Sequence, residues 1–314
     1  MKKNVLGIDI GGTNLRGAVI SQNGDVITRD KIASNADKGI DALIETLEKF
    51  INKFDKHRLE AIGIGVPGII DQKSGILTQA PNITGVRNYP LKETLLKKLN
   101  SNIPVVIEND ANCAALGEYW MGVCRNKSIS MIMLTIGTGL GGGIIINDRL
   151  WAGKDGMGGE IGHMTINYGG PLCNCGSLGC LETYASANAV RRMVIENSEL
   201  AKKIVRIKKE NVPKAIMDLA AKGNINAKNL WKDFGRNLGI GIANLVNILN
   251  IEIVVIGGGL SNAWAFFIKD TKKEVKKRAL RAPGERLKIK KAVLGDDAGI
   301  FGACYLAMKK LKEV

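Results

Sequence analysis

The sequence predicts an α/β protein built from two similar halves, and three observations support this. The chain has 314 residues, enough for about two domains that each bury a core of their own. A strand, a glycine turn and a second strand occur near the start, at 4–20, and again at 131–146. Around these repeats, short apolar runs typical of strands alternate with longer segments of helical periodicity.

The first half is predicted to open with three strands, followed by helices and further strands. Residues 4–10 have a buried-strand pattern, and turn signals at 11–14 and 22–25 separate them from a strand at 15–20 and from a third strand beyond. The later elements are a helix at 40–54, a strand at 61–66, a strand at 105–107 and a helix at about 111–120.

The second half begins with the repeat. Ile10-Gly11-Gly12-Thr13 aligns with Ile136-Gly137-Thr138-Gly139, and a single-residue gap at Asn14 then aligns the strands that follow. A repeat at this spacing indicates two related halves rather than a solenoid. The later elements are a glycine- and cysteine-rich stretch at 153–180, a mostly helical region at about 183–248, a strand at 253–256 with a glycine turn and a helix after it, a strand at 287–294 and a helix at 298–312.

Composition and charge limit the function classes. With 45% hydrophobic and 24% charged residues, no apolar run near the roughly 18 residues of a membrane span and no signal-peptide pattern at the start, we expect a cytoplasmic protein without a membrane partner. The net charge of +15 makes nucleic acid a candidate partner. However, only 5% of residues are aromatic, and the excess charge lies mainly at 202–210, 269–281 and 288–291, which favours solvated helix faces and a strand edge.

The first candidate site is the turn Asp9-Ile10-Gly11-Gly12-Thr13. Its glycines allow backbone N–H groups to approach phosphate oxygens, Thr13 adds a hydroxyl, and Asp9 could hold Mg²⁺ directly or through water. No lysine follows, so this is not the GxxxxGK[ST] phosphate loop. A plain hairpin explains the turn equally well, but the second turn, Gly137-Thr138-Gly139, strengthens the phosphate interpretation because two such turns could hold a polyphosphate from both sides.

The second candidate is Glu108-Asn109-Asp110, directly after a strand. A carboxylate in that position could accept the proton of an attacking hydroxyl, as phosphoryl transfer requires. The same segment could simply cap the helix that follows, and the residues alone favour capping. One segment can also serve both roles.

The third candidate is a metal site formed by His163 and the cysteines of Cys173-Asn174-Cys175-Gly176-Ser177-Leu178-Gly179-Cys180. Three thiolates and one imidazole suit a closed, tetrahedral zinc site of the structural kind. The alternative for His163 is a packed core residue.

Several weaker candidates lie near these motifs. Glu160 and Glu182 flank the metal segment and could accept hydrogen bonds from sugar hydroxyls, although solvated loop surface explains them equally well. Asn82 could offer an amide, although a Pro-Asn turn is the default interpretation. The turn Gly257-Gly258-Gly259 could let an adenosine lie against bare backbone, or could be an ordinary link between strand and helix.

Taken together, these residues resemble the ROK family of sugar kinases and sugar-responsive repressors. The stretch from Glu160 to His163 and then from Cys173 to Glu182 carries the likeness best, and the glycine turns and Glu108-Asn109-Asp110 support it. The resemblance extends over essentially the whole chain. The family's repressors carry a helix-turn-helix module before the first glycine turn, and the early position of Asp9 favours the enzyme over the regulator.

The resemblance implies the actin-like ATPase (ribonuclease H-like) fold, with two α/β domains around a central cleft: 1–109 plus 298–314, and 110–297 with the zinc loop. It implies an ATP-dependent hexose kinase that uses Mg²⁺, has structural Zn²⁺ and most resembles glucokinases, with N-acetylmannosamine, N-acetylglucosamine or fructose as alternative substrates and a homodimer or homotetramer as the assembly.

The resemblance also implies a role for each candidate residue. Asp110 is the base. Asn82, Asn109, Asp110, Glu160, His163 and Glu182 surround the sugar, and His163 uses one ring nitrogen for zinc and the other for sugar. The nucleotide residues are Asp9, Gly11, Gly12, Thr13, Thr135, Gly137, Thr138, Gly139, Gly257, Gly258 and Gly259.

Overall fold

The computed structural model describes residues 4–80, 83–125, 127 and 129–313. Contacts group the chain into two compact units. The first unit contains Met1–Ser128, Gly143–Gly159 and Val293–Val314, and the second contains Ile129–Gly142 and Glu160–Ala292. Residues 110–128 therefore group with the first unit, while the domain boundary expected between 109 and 110 stays a prediction.

The described elements alternate between strands and helices, as the periodicity predicted. The strands are β1 (Asn4–Ile10), β2 (Asn14–Ser21), β3 (Val26–Ala33), β4 (Leu59–Val66), β5 (Ile69–Asp71), β6 (Ile76–Gln79), β7 (Val105–Asn109), β8 (Met131–Ile136), β9 (Leu140–Ile146), β10 (Arg149–Trp151), β11 (Ile253–Gly257) and β12 (Lys288–Lys291). The helices are α1 (Ile40–Asn52), α2 (Leu91–Leu99), α3 (Asp110–Trp120), α4 (Ala187–Ile195), α5 (Ser198–Ile204), α6 (Val212–Ala221), α7 (Ile225–Leu249), α8 (Trp264–Arg278), α9 (Arg281–Arg286) and α10 (Ala298–Glu313).

The first sheet has the strand order β3-β2-β1-β4-β7. β1 pairs antiparallel with β2 and parallel with β4, and β4 pairs parallel with β7. The central strands β1 and β4 are largely buried, as their near-continuous apolar sequences require. Because the carboxyl ends of parallel strands meet at one edge of a sheet, the residues that end β1 and β7 lie along the same edge.

The second sheet repeats this arrangement with the order β10-β9-β8-β11-β12. β8 pairs parallel with β11, and β11 pairs parallel with β12. Each sheet thus has three strands consecutive in sequence followed by two parallel strands, which matches the repeat seen in the sequence. None of the helices within the described ranges is long and apolar enough to cross a membrane.

Helix α10 packs on the first sheet and on α3 at distances that only glycine permits. A Cβ at Gly63 in β4 would lie 1.9 Å from the Ala303 carbonyl oxygen of α10. A Cβ at Gly302 in α10 would lie 1.7 Å from the Cys113 carbonyl oxygen of α3. These contacts hold α10 against β4, the neighbour of β1, and against α3.

One expectation about the elements was wrong, and several elements were not anticipated. The last strand, expected at 287–294, ends at Lys291. The reason is Glu118 of α3, a fully buried carboxylate whose Oε1 accepts the backbone N–H groups of Val293 (2.9 Å) and Leu294 (2.8 Å) and so draws these residues out of the sheet. The hairpin of β5 and β6, the helix α2 and the short strand β10 were not anticipated.

The glycine contacts of α10 lead to a stability prediction. We expect Gly302→Ala to lower the free energy of unfolding by about 3 kcal/mol or more, because the added methyl meets rigid backbone. Gly12→Ala is the matched control, since a Cβ there would meet nothing within 4 Å. Urea unfolding of the two variants measures the difference, and equal stabilities would contradict the packing described.

Candidate active site

The first glycine turn, Gly11-Gly12-Thr13, connects β1 to β2 in the first unit. The Gly11 N–H donates to the Asn14 carbonyl oxygen at 2.8 Å, which closes the turn. Ser34 holds the other side of the turn, where its N–H donates to the Thr13 carbonyl oxygen (3.0 Å) and its hydroxyl to the Gly12 carbonyl oxygen (3.2 Å). The turn is therefore fixed by its carbonyl groups while Gly12 and Thr13 remain exposed.

Asp9 lies in β1, two residues before Gly11, and is half-buried. A Cβ at Gly299 would lie 2.6 Å from its Oδ1, so the carboxylate contacts the first turn of α10. The pKa of Asp9 is raised to about 7, chiefly by burial and then by the negative charge of Asp110; Arg16 lowers it and Asp296 adds a smaller increase. A cation beside Asp9 would stabilise its ionised form and lower its pKa, as expected for an aspartate that binds Mg²⁺.

Arg16 and Asp296 are site residues that the sequence analysis missed. Arg16 lies opposite Asp9 in the pairing of β1 with β2, and its Nη2 is 3.0 Å from Asp296 Oδ2. Asp296 belongs to the short 3₁₀ turn Gly295–Asp297 that precedes α10. The two residues are far apart in sequence, so no local motif could have paired them.

Asn109 has the capping role that the sequence left open, and Asp110 stays a predicted base. Asn109 caps α3, because its Oδ1 accepts the N–H groups of Ala111 (2.9 Å) and Asn112 (3.1 Å). Its Nδ2 donates to the Gly68 carbonyl oxygen at 3.0 Å. Asp110 is the first residue of α3, and its Oδ1 accepts the Ala111 N–H at 2.8 Å. Burial raises the pKa of Asp110, while its backbone hydrogen bonds lower it in part.

Glu108 belongs to the second candidate motif of the sequence, but no role of its own was predicted for it. This carboxylate is 3% exposed and accepts hydrogen bonds from the Asn109 N–H (2.8 Å), from Asn112 Nδ2 (3.0 Å) and from Gln72 Nε2. Burial raises the pKa of Glu108, and the three hydrogen bonds oppose that effect. Glu108 thereby joins β7, α3 and the turn after β5 around the segment that carries Asp110. The only signal in the sequence was an acid inside a buried strand.

The second unit carries the four candidate metal ligands. Cys173 and Cys180 are buried and Cys175 is exposed. The ligand atoms of His163, Cys173, Cys175 and Cys180 all lie within 4.8 Å of one another. Cys173 Sγ is 3.6 Å from His163 Nδ1, and Cys175 Sγ is 3.7 Å from Cys180 Sγ. A tetrahedral zinc ion places its sulfur and nitrogen ligands about 3.5–3.8 Å apart, so this group could hold one.

Glu160 and Glu182 occupy different sides of this group. Glu160 Oε2 is 4.0 Å from His163 Nε2, the ring nitrogen that does not face the cysteines. Glu182 Oε1 is 4.0 Å from Cys173 Sγ, and its Oε2 accepts the Leu140 N–H at 2.8 Å. Glu160 therefore lies beside the outer edge of the imidazole, whereas Glu182 bridges the cysteines and the start of β9.

The two glycine turns of the second unit are neighbours. Gly137-Thr138-Gly139 follows β8, and Gly257-Gly258-Gly259 follows the adjacent parallel strand β11, whose residue Gly257 pairs with Thr135. Gly258 has a φ of 79°, and a Cβ there would lie 2.5 Å from the Ile136 carbonyl oxygen, so only glycine fits. A Cβ at Gly137 or Gly259 would meet nothing within 4 Å. Both turns thus present open backbone at the same end of the sheet.

Comparison with known proteins identifies the family. A model described as the ROK family matches residues 5–310. A glucokinase from Halalkalibacterium halodurans is 37% identical, and the alignment covers 97% of this chain and 95% of the relative.

The chain belongs to the ROK family.

The chain is also similar to a repressor and to a glucokinase of known structure. A xylose repressor from Caldicellulosiruptor bescii is 35% identical over 98% of this chain and 79% of the repressor. The crystal structure of a ROK family glucokinase from Streptomyces griseus in complex with glucose and AMPPNP is 31% identical, with a TM-score of 0.81 over 98% of this chain and 99% of that one. The predicted family and the predicted actin-like ATPase fold are confirmed.

The predicted ROK site residues fall in both units. Asp9, the first glycine turn, Asn109 and Asp110 belong to the first unit, and Glu160, His163, the cysteines, Glu182 and the other two glycine turns belong to the second. Asn82 lies outside the described residues.

The raised pKa of Asp9 predicts a dependence of stability on pH. An unfolded aspartate has a pKa of about 3.9, so between about pH 4 and pH 7 the folded protein holds more protons and its free energy of unfolding falls as pH rises. With divalent cations removed, Asp9→Asn should raise that free energy at pH 8, by at most about 4 kcal/mol, and change it little at pH 4. Urea unfolding at both values measures this, and an effect of the same size at both would contradict the electrostatic cause.

Proposed function

We propose that this ROK protein is an ATP-dependent sugar kinase and that glucose, converted to glucose 6-phosphate, is its substrate. The observation that carries the proposal is Asp110, a carboxylate with a raised pKa at the start of α3, where Asn109 makes the cap. A sensor that only binds sugar needs no base at this point. The glucokinase relatives support the same activity.

In the proposed mechanism Asp110 accepts the proton of the attacking sugar hydroxyl as the new oxygen–phosphorus bond forms and ADP leaves. A raised pKa makes the carboxylate a stronger base than an ordinary aspartate, which favours transfer of the proton to it. Mg-ATP, when bound, supplies the phosphoryl group and the positive charge that this group of acids needs. Asp9 would bind that cation directly or through water. The opposite charges of Arg16 and Asp296 would adjust the pKa of Asp9.

The nucleotide would lie on open backbone. The exposed turn at Gly11, Gly12 and Thr13 suits phosphate oxygens, and so does the turn at Gly137, Thr138 and Gly139 together with Thr135. The adenosine would lie against Gly257, Gly258 and Gly259. The glucokinase from Streptomyces griseus that was solved with AMPPNP supports ATP as the donor.

The sugar would be held by Asn82, Asn109, Glu160, His163 and Glu182. Asn109 has already committed its Oδ1 and one Nδ2 hydrogen, so it has one N–H left to offer a sugar hydroxyl. We propose that His163 binds structural zinc through Nδ1, with Cys173, Cys175 and Cys180, and presents Nε2 to the sugar. The zinc would fix the imidazole orientation. Free thiols and an ATP substrate together favour the cytoplasm.

Two alternatives remain distinct from glucose phosphorylation. An N-acetylmannosamine, N-acetylglucosamine or fructose kinase would use the same base with a different sugar pocket. A sugar-sensing regulator is favoured by one finding, the likeness to xylose repressors over 98% of this chain. Only the kinases release ADP when sugar is added.

The experiment that tests the function is ADP release from Mg-ATP with glucose, N-acetylmannosamine, N-acetylglucosamine, mannose and fructose. The proposal predicts sugar-dependent release that is fastest with glucose. Release with another sugar would replace the substrate and keep the activity. The absence of release with every sugar, in folded and zinc-loaded protein, would move the conclusion to the regulator.

Asp110→Asn tests the base. The amide keeps the size of the side chain but accepts no proton, so we expect turnover to fall by about a hundredfold or more while glucose binding and the thermal midpoint change little. Calorimetric titration with glucose is the binding control. A variant that turns over at the wild-type rate would remove Asp110 from this role.

Cys175→Ala tests the metal site. We expect the bound zinc to fall from about one equivalent to near zero, since three ligands hold the ion far less tightly than four. Elemental analysis gives the content, with Cys304→Ala as the control because that buried cysteine lies in α10 and outside the cluster. Equal zinc in the two variants would disprove the site.

A further inference from the structure

A neighbouring segment holds the second glycine turn in place. The Gly137 carbonyl oxygen accepts the Ala187 N–H at 2.9 Å, and the Thr138 carbonyl oxygen accepts the Asn188 N–H at 3.3 Å. The Leu140 N–H donates to Glu182 Oε2 at 2.8 Å. These three hydrogen bonds engage both sides of the turn, and all of their partners lie between residues 182 and 188.

That segment continues directly from the last cysteine. Cys180 is followed by the 3₁₀ turn Leu181–Thr183 and by α4, which begins at Ala187. Leu181 is fully buried, and its N–H donates to the Met164 carbonyl oxygen at 2.9 Å. Its side chain packs against Gly241 of α7, in the space that a Cβ at that position would need. The position of the segment therefore depends on the stretch of chain that carries His163 and the cysteines.

Glu182 makes the connection most directly. One of its oxygens is 4.0 Å from Cys173 Sγ, and the other accepts the Leu140 N–H. A Cβ at Gly139 would lie 2.1 Å from the same carboxylate oxygen, so the turn and the carboxylate are in close contact. A change in the position of Cys173 or Cys180 would shift this carboxylate and, with it, the backbone N–H groups of the turn.

We infer that the cysteine segment, residues 173–180, positions the second glycine turn through Glu182 and the start of α4, so that nucleotide affinity depends on the metal ligands even without sugar. The inference rests on the proposed nucleotide role of residues 137–139. It makes Glu182 a positioning residue for the nucleotide turn in addition to its proposed contact with sugar. If Glu182 served the sugar alone, its loss would leave nucleotide binding in sugar-free protein unchanged.

The first test replaces Glu182 in the zinc-loaded protein and omits sugar. Calorimetry with Mg-AMPPNP should show affinity about tenfold weaker for Glu182→Ala, the effect of losing one hydrogen bond to a charged acceptor. Glu182→Gln, which keeps an acceptor oxygen, should lose less. Glu196→Gln is the control, since this exposed acid follows α4 and pairs with Arg192 at 2.7 Å without contact to the turn.

Hydrogen exchange gives a second readout that does not depend on nucleotide. The Leu140 amide should exchange at least tenfold faster in Glu182→Ala than in the wild type, while the amides inside β8 keep their protection. Unchanged exchange at Leu140 together with unchanged AMPPNP affinity would overturn the inference.

Removal of the metal tests whether nucleotide affinity depends on the metal ligands. Zinc-stripped protein and Cys175→Ala should both bind Mg-AMPPNP at least tenfold more weakly in the absence of sugar, with faster exchange at Leu140. Affinity equal to that of the loaded protein would overturn the role of the metal ligands. If stripping unfolds the protein, the zinc-loaded Glu182 variants still test whether Glu182 positions the turn. Neither measurement uses turnover, so a failure of the kinase assay would be separate from a failure here.

Discussion

The burial of two carboxylates at one edge of the first sheet is the constraint on which the proposed chemistry depends. Asp9 is the residue before the last of β1 and Asp110 follows β7, and parallel pairing through β4 brings both strand ends to the same edge. Burial and the charge of Asp110 raise the pKa of Asp9 to about 7. A cation beside these two carboxylates would stabilise their ionised forms. A metal-bound nucleotide would supply such a cation.

The surrounding residues keep this arrangement rigid. Glu108 holds the segment before Asp110 with three hydrogen bonds, and Asn109 caps α3. Glu118 draws residues 293 and 294 out of the sheet, and the chain then enters the turn that carries Asp296 and the helix whose first turn contacts Asp9. None of these residues needs to touch a substrate to influence the reaction.

The sequence predicted those parts of the site whose chemistry is local. The cysteine spacing, the glycine turns and Glu108-Asn109-Asp110 are short patterns, and the structure places the four candidate metal ligands together and the turns at strand ends. It did not predict the pairs Arg16–Asp296, Gln72–Glu108, Glu118–Leu294 and Glu182–Leu140, which join residues 36 to 280 positions apart. Such pairs follow from strand order and helix packing, which one sequence does not specify. The early end of β12 has the same origin, because Glu118 decides it from another helix.

The most direct test of the coupled carboxylates is a carbon-detected NMR titration of the Asp9 carboxyl group in cation-free protein, with Asp9→Asn to assign the signal. We expect Asp9 to titrate near pH 7 in the cation-free wild type and at a lower pH in Asp110→Asn. When Mg-AMPPNP is bound to the wild type, we expect Asp9 to titrate at a lower pH than in the cation-free wild type. Titration near the ordinary value of about 3.9 in the wild type, or a pKa that does not change in Asp110→Asn, would contradict it.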